Sequence, residues 1–190
     1  MSVLAPMRKT ALLMAALFSI TALAENPPLS SPVGSGTIAF GSCLQQWRDQ
    51  PVWQSISVLN PNAFVFLGDN MYADKGDYLE QPEPQRIGKA YDDLAATGEF
   101  QAFTSAAKRQ DIQLYATWDD HDYGASDSGG DYPHKLASKA YFMDFFNLRE
   151  TAAGDKTQPG IYQSHRLKVS GLDVQLIMLD TRSFRSPIKK

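Results

Sequence analysis

The 190-residue sequence cannot form an intramolecular disulfide, because Cys43 is its only cysteine. It also lacks a strong charge of either sign, since the formal net charge is -3. No run of lysine and arginine forms a stripe that would follow a phosphate backbone, so a nucleic-acid-binding module is not expected. Hydrophobic residues make up 43% of the chain, enough to build the core of one globular domain.

The N-terminal apolar run, residues 11–20, is shorter than the roughly 20 residues of a membrane span. The basic pair Arg8-Lys9 precedes it and the small-x-small sequence Ala22-Leu23-Ala24 follows, a pattern typical of a Sec-type signal peptide. A twin-arginine signal is not supported, because the pair is not Arg-Arg. We expect residues 1–24 to be removed on export, which leaves a periplasmic or secreted chain without a membrane span. The alternative is a membrane anchor.

The mature chain is expected to be a flexible lead-in followed by one α/β domain. Proline, serine and glycine are frequent in residues 25–36, and residues 37–190 alternate between strand-like and helix-like patterns. The predicted strands are 37–40, 63–67 and 112–117, followed by a pair at 160–170 and 173–179 around Ser170-Gly171. The predicted helices are 51–59, 85–110 with a break near Gly98, and 136–148. This order favours a layered sheet with helices packed on it.

Three of the apolar strands end abruptly in potential metal ligands. Cys43 follows the first strand, Asp69 the second, and residues 119–122 the third. Ligand sites in α/β sheets gather at the carboxyl ends of parallel strands, so these groups are expected to meet. A thiolate from Cys43 and a phenolate from Tyr72 favour iron or zinc over magnesium, and Asp69 suits a bridging role. The alternatives are a small buried hydrophobic side chain at Cys43 and a plain turn at 68–70.

The segment at 119–122, here called the acidic cluster, contains three carboxylates and an imidazole. These carboxylates repel one another unless a cation or water offsets their charge, so a solvated acidic loop is the alternative. Asp120 is the first choice of ligand. His121 can ligate a metal or donate a proton to a leaving oxygen, and Asp122 can orient the imidazole.

Three further residues are candidates for the same chemistry. Asp127 and Asp131 can bind calcium, although a solvated loop is the favoured interpretation of this Gly/Ser-rich segment. Arg182 can clamp phosphate oxygens through its guanidinium group. A structural interaction of Asp180 with Arg182 or with backbone is an equal alternative.

The ordered set of motifs resembles the alkaline phosphatase D (PhoD-like) family of metallophosphatases. The motifs are Gly41-Ser42-Cys43, Leu67-Gly68-Asp69-Asn70-Met71-Tyr72, Ala116-Thr117-Trp118-Asp119-Asp120-His121-Asp122-Tyr123-Gly124 and Met178-Leu179-Asp180-Thr181-Arg182-Ser183-Phe184-Arg185. The resemblance implies an exported phosphomonoesterase or phosphodiesterase with a four-layer α/β/β/α metallophosphatase-type sandwich. It also implies Fe³⁺ and Ca²⁺ as the metals, with Zn²⁺ possible, and a small-molecule phosphate ester as substrate. The expected metal ligands are Cys43, Asp69, Tyr72, Asp119 and Asp120, and the expected catalytic residues are His121, Asp122 and Arg182.

The sequence departs from the family pattern after Arg185. Family members continue through further strands to a Gly-Asp-Val-His-like segment that completes the metal site, and residues 186–190 contain no such motif. We therefore expect residues 37–190 to be the N-terminal portion of such a domain, incomplete at its C-terminus and of doubtful activity. The alternatives are a non-catalytic secreted metal- or ligand-binding module and, less favoured, a structural domain without metal. The oligomeric state is left open.

Overall fold

A computed structural model describes residues 36–148 and 158–188 of the chain. The predicted signal peptide and almost all of the predicted lead-in lie outside these residues. The strands are β1 (Ile38–Gly41), β2 (Ala63–Phe66), β3 (Gln113–Ala116), β4 (Gln163–Val169) and β5 (Leu172–Met178). The helices are α1 (Val52–Leu59), α2 (Gln85–Ala96), α3 (Gly98–Gln110), α4 (Asp120–Tyr123) and α5 (Lys135–Phe145), with a 3₁₀ helix at Gly76–Glu80. None of the described helices has the length and apolar character needed to cross a membrane.

Three parallel strands form the sheet that carries the candidate site, in the order β1-β2-β3. Phe64 of the central strand lies opposite Ala39 of β1 and Leu114 of β3. All four residues of β2 are buried, as expected for a continuous apolar run in a parallel sheet. The edge strands keep exposed side chains, Phe40 among them. The prediction of an α/β fold with a parallel sheet is confirmed, whereas the four-layer sandwich stays a prediction.

An aromatic cluster attaches α1 and α3 to the sheet. Trp53 of α1 is buried and stacks on Phe103 of α3 with ring centroids 4.6 Å apart. Both rings also contact Phe64 of β2 edge to face, at 5.6 and 5.5 Å. Aromatic pairs contribute about 0.5–1.5 kcal/mol each beyond the area that they bury. This packing fixes the position of β2, whose carboxyl end leads into Asp69.

The breaks between elements follow the sequence signals. The predicted helix over 85–110 is two helices, because Thr97 is extended (φ -68°, ψ 135°) between α2 and α3. The second sheet is a β4–β5 hairpin, whose turn at Ser170 and Gly171 has positive φ at both residues (49° and 83°). Gln163 of β4 donates a hydrogen bond from Nε2 to the Ala116 carbonyl at 2.8 Å, which joins the hairpin to the end of β3.

Candidate metal centre

The turns that follow β1, β2 and β3 lie at one edge of the sheet and are joined by backbone hydrogen bonds. The Leu67 N–H donates to the Gly41 carbonyl at 2.8 Å, and the Thr117 N–H donates to the Phe66 carbonyl at 2.9 Å. Further along the turns after β1 and β2, the Leu44 N–H donates to the Asp69 carbonyl at 2.8 Å. The three segments that carry the predicted ligands therefore adjoin one another, as the rule for parallel strands predicts.

Two of the predicted ligands have left-handed backbone conformations. Cys43 has φ 62° and Asp69 has φ 50°. Non-glycine residues in this region cost of order 1–3 kcal/mol each, and such residues concentrate at functional sites. Their conformations redirect the chain just after each strand, so that both side chains turn toward the same point.

Gly68 permits the closest approach between the β2 and β3 turns. Its φ is +105°, and a Cβ added there would lie 2.6 Å from the Asp119 nitrogen and 2.7 Å from the Trp118 carbonyl carbon. Real Cβ atoms essentially never approach backbone atoms so closely. Glycine is therefore required both for the conformation and for the contact.

Five potential ligands converge on this edge of the sheet. The ligand atoms of Asp69, Asp120 and His121 all lie within 4.8 Å of one another. The Cys43 thiol lies 3.7 Å and the Tyr72 hydroxyl 3.3 Å from Oδ2 of Asp69. The Tyr72 and His121 rings are adjacent, with centroids 4.3 Å apart. Asp69 is thus central to the group, as a bridging carboxylate would be.

The electrostatics of this group match those of a cation site. Burial raises the pKa of Asp69, the negative charges of Asp120 and Asp119 raise it further, and His121 acts in the opposite direction. Burial and the proximity of Asp69 and Cys43 raise the pKa of Tyr72. A bound cation reverses these effects by favouring the ionised forms. Carboxylate, thiolate, phenolate and imidazole donors together fit iron or zinc, and the carboxylates alone suit calcium.

The imidazole of His121 is oriented by Asp74, not by Asp122 as predicted. His121 Nδ1 lies 2.7 Å from Oδ1 of Asp74, whose side chain is 6% exposed. The other Asp74 oxygen accepts a hydrogen bond from the Ser126 N–H at 2.8 Å. Asp74 was missed because residues 74–84 resemble a plain charged loop. Its position two residues after the predicted ligand Tyr72 was the one available signal.

Asp122 instead joins the turns that carry the ligands. Its carboxylate is fully buried and accepts backbone N–H donors from Asp69 at 3.3 Å, Asn70 at 3.1 Å and Asp119 at 2.7 Å. The Asn70 side-chain amide adds a fourth donor at 2.6 Å. Burial raises the pKa of Asp122 to about 8, and the backbone N–H groups of Asp119 and Asn70 act against that rise. Asp122 is therefore a residue that positions the site.

Arg182 pairs with the acidic cluster at the rim of the site. Its guanidinium group contacts the Asp119 carboxylate, and its Nη2 lies 3.8 Å from Oδ1 of Asp120. Asp180 has a structural role, because its Oδ1 accepts hydrogen bonds from the Arg182 N–H, the Ser183 N–H and the Trp118 indole, each at 2.9 Å. Asp119 thus faces Arg182, and its role as a metal ligand stays a prediction.

The two loop aspartates lie outside this group. The Asp127 side chain is 65% exposed, with Oδ1 3.6 Å from Nη1 of Arg185, while its backbone N–H donates to Oδ2 of Asp120 at 2.7 Å. Asp131 is exposed. Both positions agree with the solvated-loop interpretation. The loop nevertheless supports the site, because the Asp127 N–H fixes the orientation of the Asp120 carboxylate.

Comparison with known proteins gives one finding about the fold. No protein-family model and no curated protein matches the sequence. The fold is similar to that of PhoD. A solved structure of PhoD superposes with a TM-score of 0.54 and 18% sequence identity, over 85% of this chain and 34% of that one. This chain therefore spans about a third of the length of the PhoD chain. The similarity supports the expected resemblance at the level of the fold.

Proposed function

We propose that this chain belongs to an exported, metal-dependent phosphoesterase related to the PhoD-like phosphatases. The observation that carries the proposal is the convergence of Cys43, Asp69, Tyr72, Asp120 and His121 at one sheet edge. These residues lie far apart in sequence and include one thiol, one phenol and one imidazole. The similarity of fold to PhoD supports the same activity class. The four-layer α/β/β/α sandwich and the signal peptide at 1–24 are parts of this proposal.

The proposed metals are Fe³⁺ and Ca²⁺, with Zn²⁺ as the alternative to iron. Cys43 and Tyr72 provide the anionic, polarisable ligands that iron prefers, and Asp69 lies between them and Asp120. Asp119 is a further proposed ligand. Bound cations would supply Lewis-acid polarisation of the phosphoryl group and neutralise the charge that develops on it.

The protein side chains would supply orientation and proton transfer. Asp74 engages Nδ1 of His121, which makes Nε2 the nitrogen available to the site. In the proposed reaction His121 either ligates a metal or donates a proton to the leaving oxygen of a small phosphate ester. Arg182 lies beside Asp119 and Asp120 and is proposed to bind phosphoryl oxygens through its planar set of donors. Asp122 is proposed to hold the turns at the spacing that this chemistry requires.

The second candidate function is a secreted module that binds metal or ligand without catalysis. It is favoured by the positions of the other described histidines. His165 lies beside Tyr115, at 4.5 Å between ring centroids, and His134 is 3.8 Å from Glu83. Within residues 36–148 and 158–188, His121 is therefore the imidazole of the centre. The PhoD-like resemblance implies a second histidine at this centre.

The experiment that separates these functions measures metal content and hydrolysis together. The purified chain is equilibrated with Fe³⁺, Zn²⁺ and Ca²⁺, analysed by mass spectrometry, and assayed with 4-nitrophenyl phosphate and bis(4-nitrophenyl) phosphate. Asp69→Asn is the test variant. Asp173→Asn is its control, because Asp173 forms an exposed ion pair with Lys168 at 2.7 Å on the hairpin.

Three outcomes are informative. Metal binding with hydrolysis that Asp69→Asn abolishes and Asp173→Asn retains supports the phosphoesterase. Metal binding without hydrolysis by the wild type supports the second candidate. A wild-type chain that binds neither iron, zinc nor calcium refutes the phosphoesterase and the metal-binding form of the second candidate.

A further inference from the structure

An exposed tryptophan lies directly beside the candidate metal centre. Trp47 is 52% exposed, whereas Trp53 and Trp118 are buried at 3% and 2%. Its ring is 6.1 Å from the Tyr72 ring in an edge-on arrangement and 6.5 Å from the Tyr78 ring. Tyr72 is one of the converging ligands, and its hydroxyl is 3.3 Å from Asp69. Trp47 therefore packs against the ring of one of the converging ligands.

The position of Trp47 is tied to the ligand segment by the preceding residue. Gln46 is buried, and its side-chain amide forms hydrogen bonds with both backbone groups of Tyr72. The Tyr72 N–H donates to Gln46 Oε1 at 3.0 Å, and Gln46 Nε2 donates to the Tyr72 carbonyl at 3.1 Å. The residue next to Trp47 is thereby held at a fixed position relative to the Tyr72 backbone. Such preorganisation reduces the entropy lost on ligand binding.

Trp47 also forms one wall of a cleft of about 560 Å³. This volume is in the range of small-molecule sites. Its lining also includes Tyr78 and the charged residues Lys75, Asp77, Glu80, Lys89 and Asp93. Lys75 directly follows Asp74, the residue that orients His121, and Trp47 contacts Tyr72, so the cleft is built from segments that also carry residues of the centre.

The charges that line the cleft largely balance. Lys89 pairs with Asp93 at 2.6 Å, and the Tyr78 hydroxyl donates to the same carboxylate at 2.8 Å. The remaining charges, on Lys75, Asp77 and Glu80, are of both signs. These three charges sum to -1, so this wall offers no net attraction for an anion, whereas the faces of Trp47 and Tyr78 offer a surface for stacking.

We infer that Trp47 and Tyr78 form a platform for the alcohol part of the substrate, and that this part is a planar aromatic group. The inference rests on the proposed function, since the phosphoryl group of the ester would occupy the centre at Asp69, Asp120 and His121. Stacking on the platform then selects aryl phosphate esters over small aliphatic ones. Aromatic pairs of this kind correspond to a preference of about two- to twelve-fold.

Calorimetric binding of two non-hydrolysable ligands to the metal-loaded chain tests the platform. Phenylphosphonate is expected to bind about two- to twelve-fold more tightly than methylphosphonate. Trp47→Ala should bring this ratio close to one and leave the methylphosphonate affinity unchanged, while Trp47→Phe retains most of the ratio. Leu136→Ala is the control, because it shortens an exposed apolar side chain outside the platform, on α5. This variant should leave the ratio as in the wild type. An unchanged ratio in Trp47→Ala overturns the inference.

A fluorescence titration separates failure of the platform from failure of the proposed function. If neither phosphonate binds, the proposed function is wrong and the platform is judged with 4-nitrobenzyl alcohol, which has no phosphoryl group. Saturable quenching of tryptophan fluorescence that Trp47→Phe abolishes supports an aromatic site in its own right. Absence of saturable quenching in the wild type overturns it.

Discussion

Substitution of Gly68 by alanine perturbs the contact that brings the β2 and β3 turns together. An alanine Cβ would lie 2.6 Å from the Asp119 nitrogen and 2.7 Å from the Trp118 carbonyl carbon, at a φ of +105°. The positive φ costs roughly 1–2 kcal/mol for a residue with a Cβ. The overlap is with backbone and not with a flexible side-chain end, so it adds about 1–3 kcal/mol. We expect the free energy of unfolding to fall by about 2–5 kcal/mol.

A matched variant isolates the effect of the contact from that of the conformation. Gly76 also has a positive φ, +55°, but a Cβ added there meets nothing within 4 Å. Gly76→Ala should therefore lose only the conformational part, about 1–2 kcal/mol. Gly98→Ala, at the start of α3 with open space around it, should have no destabilising effect. The difference between Gly68→Ala and Gly76→Ala is the magnitude of the backbone overlap.

Chemical denaturation and metal titration of the three alanine variants provide the assay. Because the overlap pushes Asp69 away from Asp120 and His121, Gly68→Ala should also weaken metal binding, whereas Gly76→Ala and Gly98→Ala should not. If Gly68→Ala and Gly76→Ala were equal in stability and in metal affinity, the close approach of the two turns would not be what assembles the ligands.

Further predictions concern the residues that orient and support the site. Asp74→Asn should release His121 and so lower metal affinity or activity about 10- to 100-fold. Metal titration measures the affinity and kcat/KM measures the activity. Unchanged values of both would refute the orienting role of Asp74. Burial tends to raise the pKa of Asp180, but hydrogen bonds from Ser183, Trp118 and Ile161 lower it overall. Asp180 therefore stabilises the fold at neutral pH, and this stabilisation is lost as pH falls from about 4 through the still lower folded pKa. The free energy of unfolding of Asp180→Asn should fall less over that pH range than that of the wild type. An equal fall in the two proteins would contradict the stabilising role of Asp180. Trp53→Ala should cost about 3–5 kcal/mol in denaturation experiments, because the ring is buried against Phe103.

The strands and their ends were predictable because two simple rules determine them. Continuous apolar runs indicate buried parallel strands, and parallel strands place their carboxyl ends together. Cys43, Asp69 and Asp120 each follow such a run, so their proximity followed from sequence order alone. The break at Thr97 and the turn at Ser170-Gly171 were likewise visible as local glycine signals.

The orientations within the acidic cluster were not predictable from sequence. The segment forms one helical turn, α4, and successive side chains on a helix point about 100° apart. His121 and Asp122 therefore face different partners. Asp122 points inward to the turns that it joins, and His121 points to Asp74, 47 positions away. No local sequence pattern identifies a partner at that separation. The contact between Arg182 and Asp119 spans an even longer stretch of sequence.

Metal analysis of Asp69→Asn beside the wild type tests the metal centre most directly. Asp69 lies within contact of the Cys43 thiol and the Tyr72 hydroxyl and groups with Asp120 and His121. After equilibration with ferric iron, the wild-type chain should retain about one ion. It should also show visible charge-transfer absorption from thiolate or phenolate ligation. Asp69→Asn should lose both signals. Equal retention of iron by the two proteins, or none by the wild type, would contradict the metal centre.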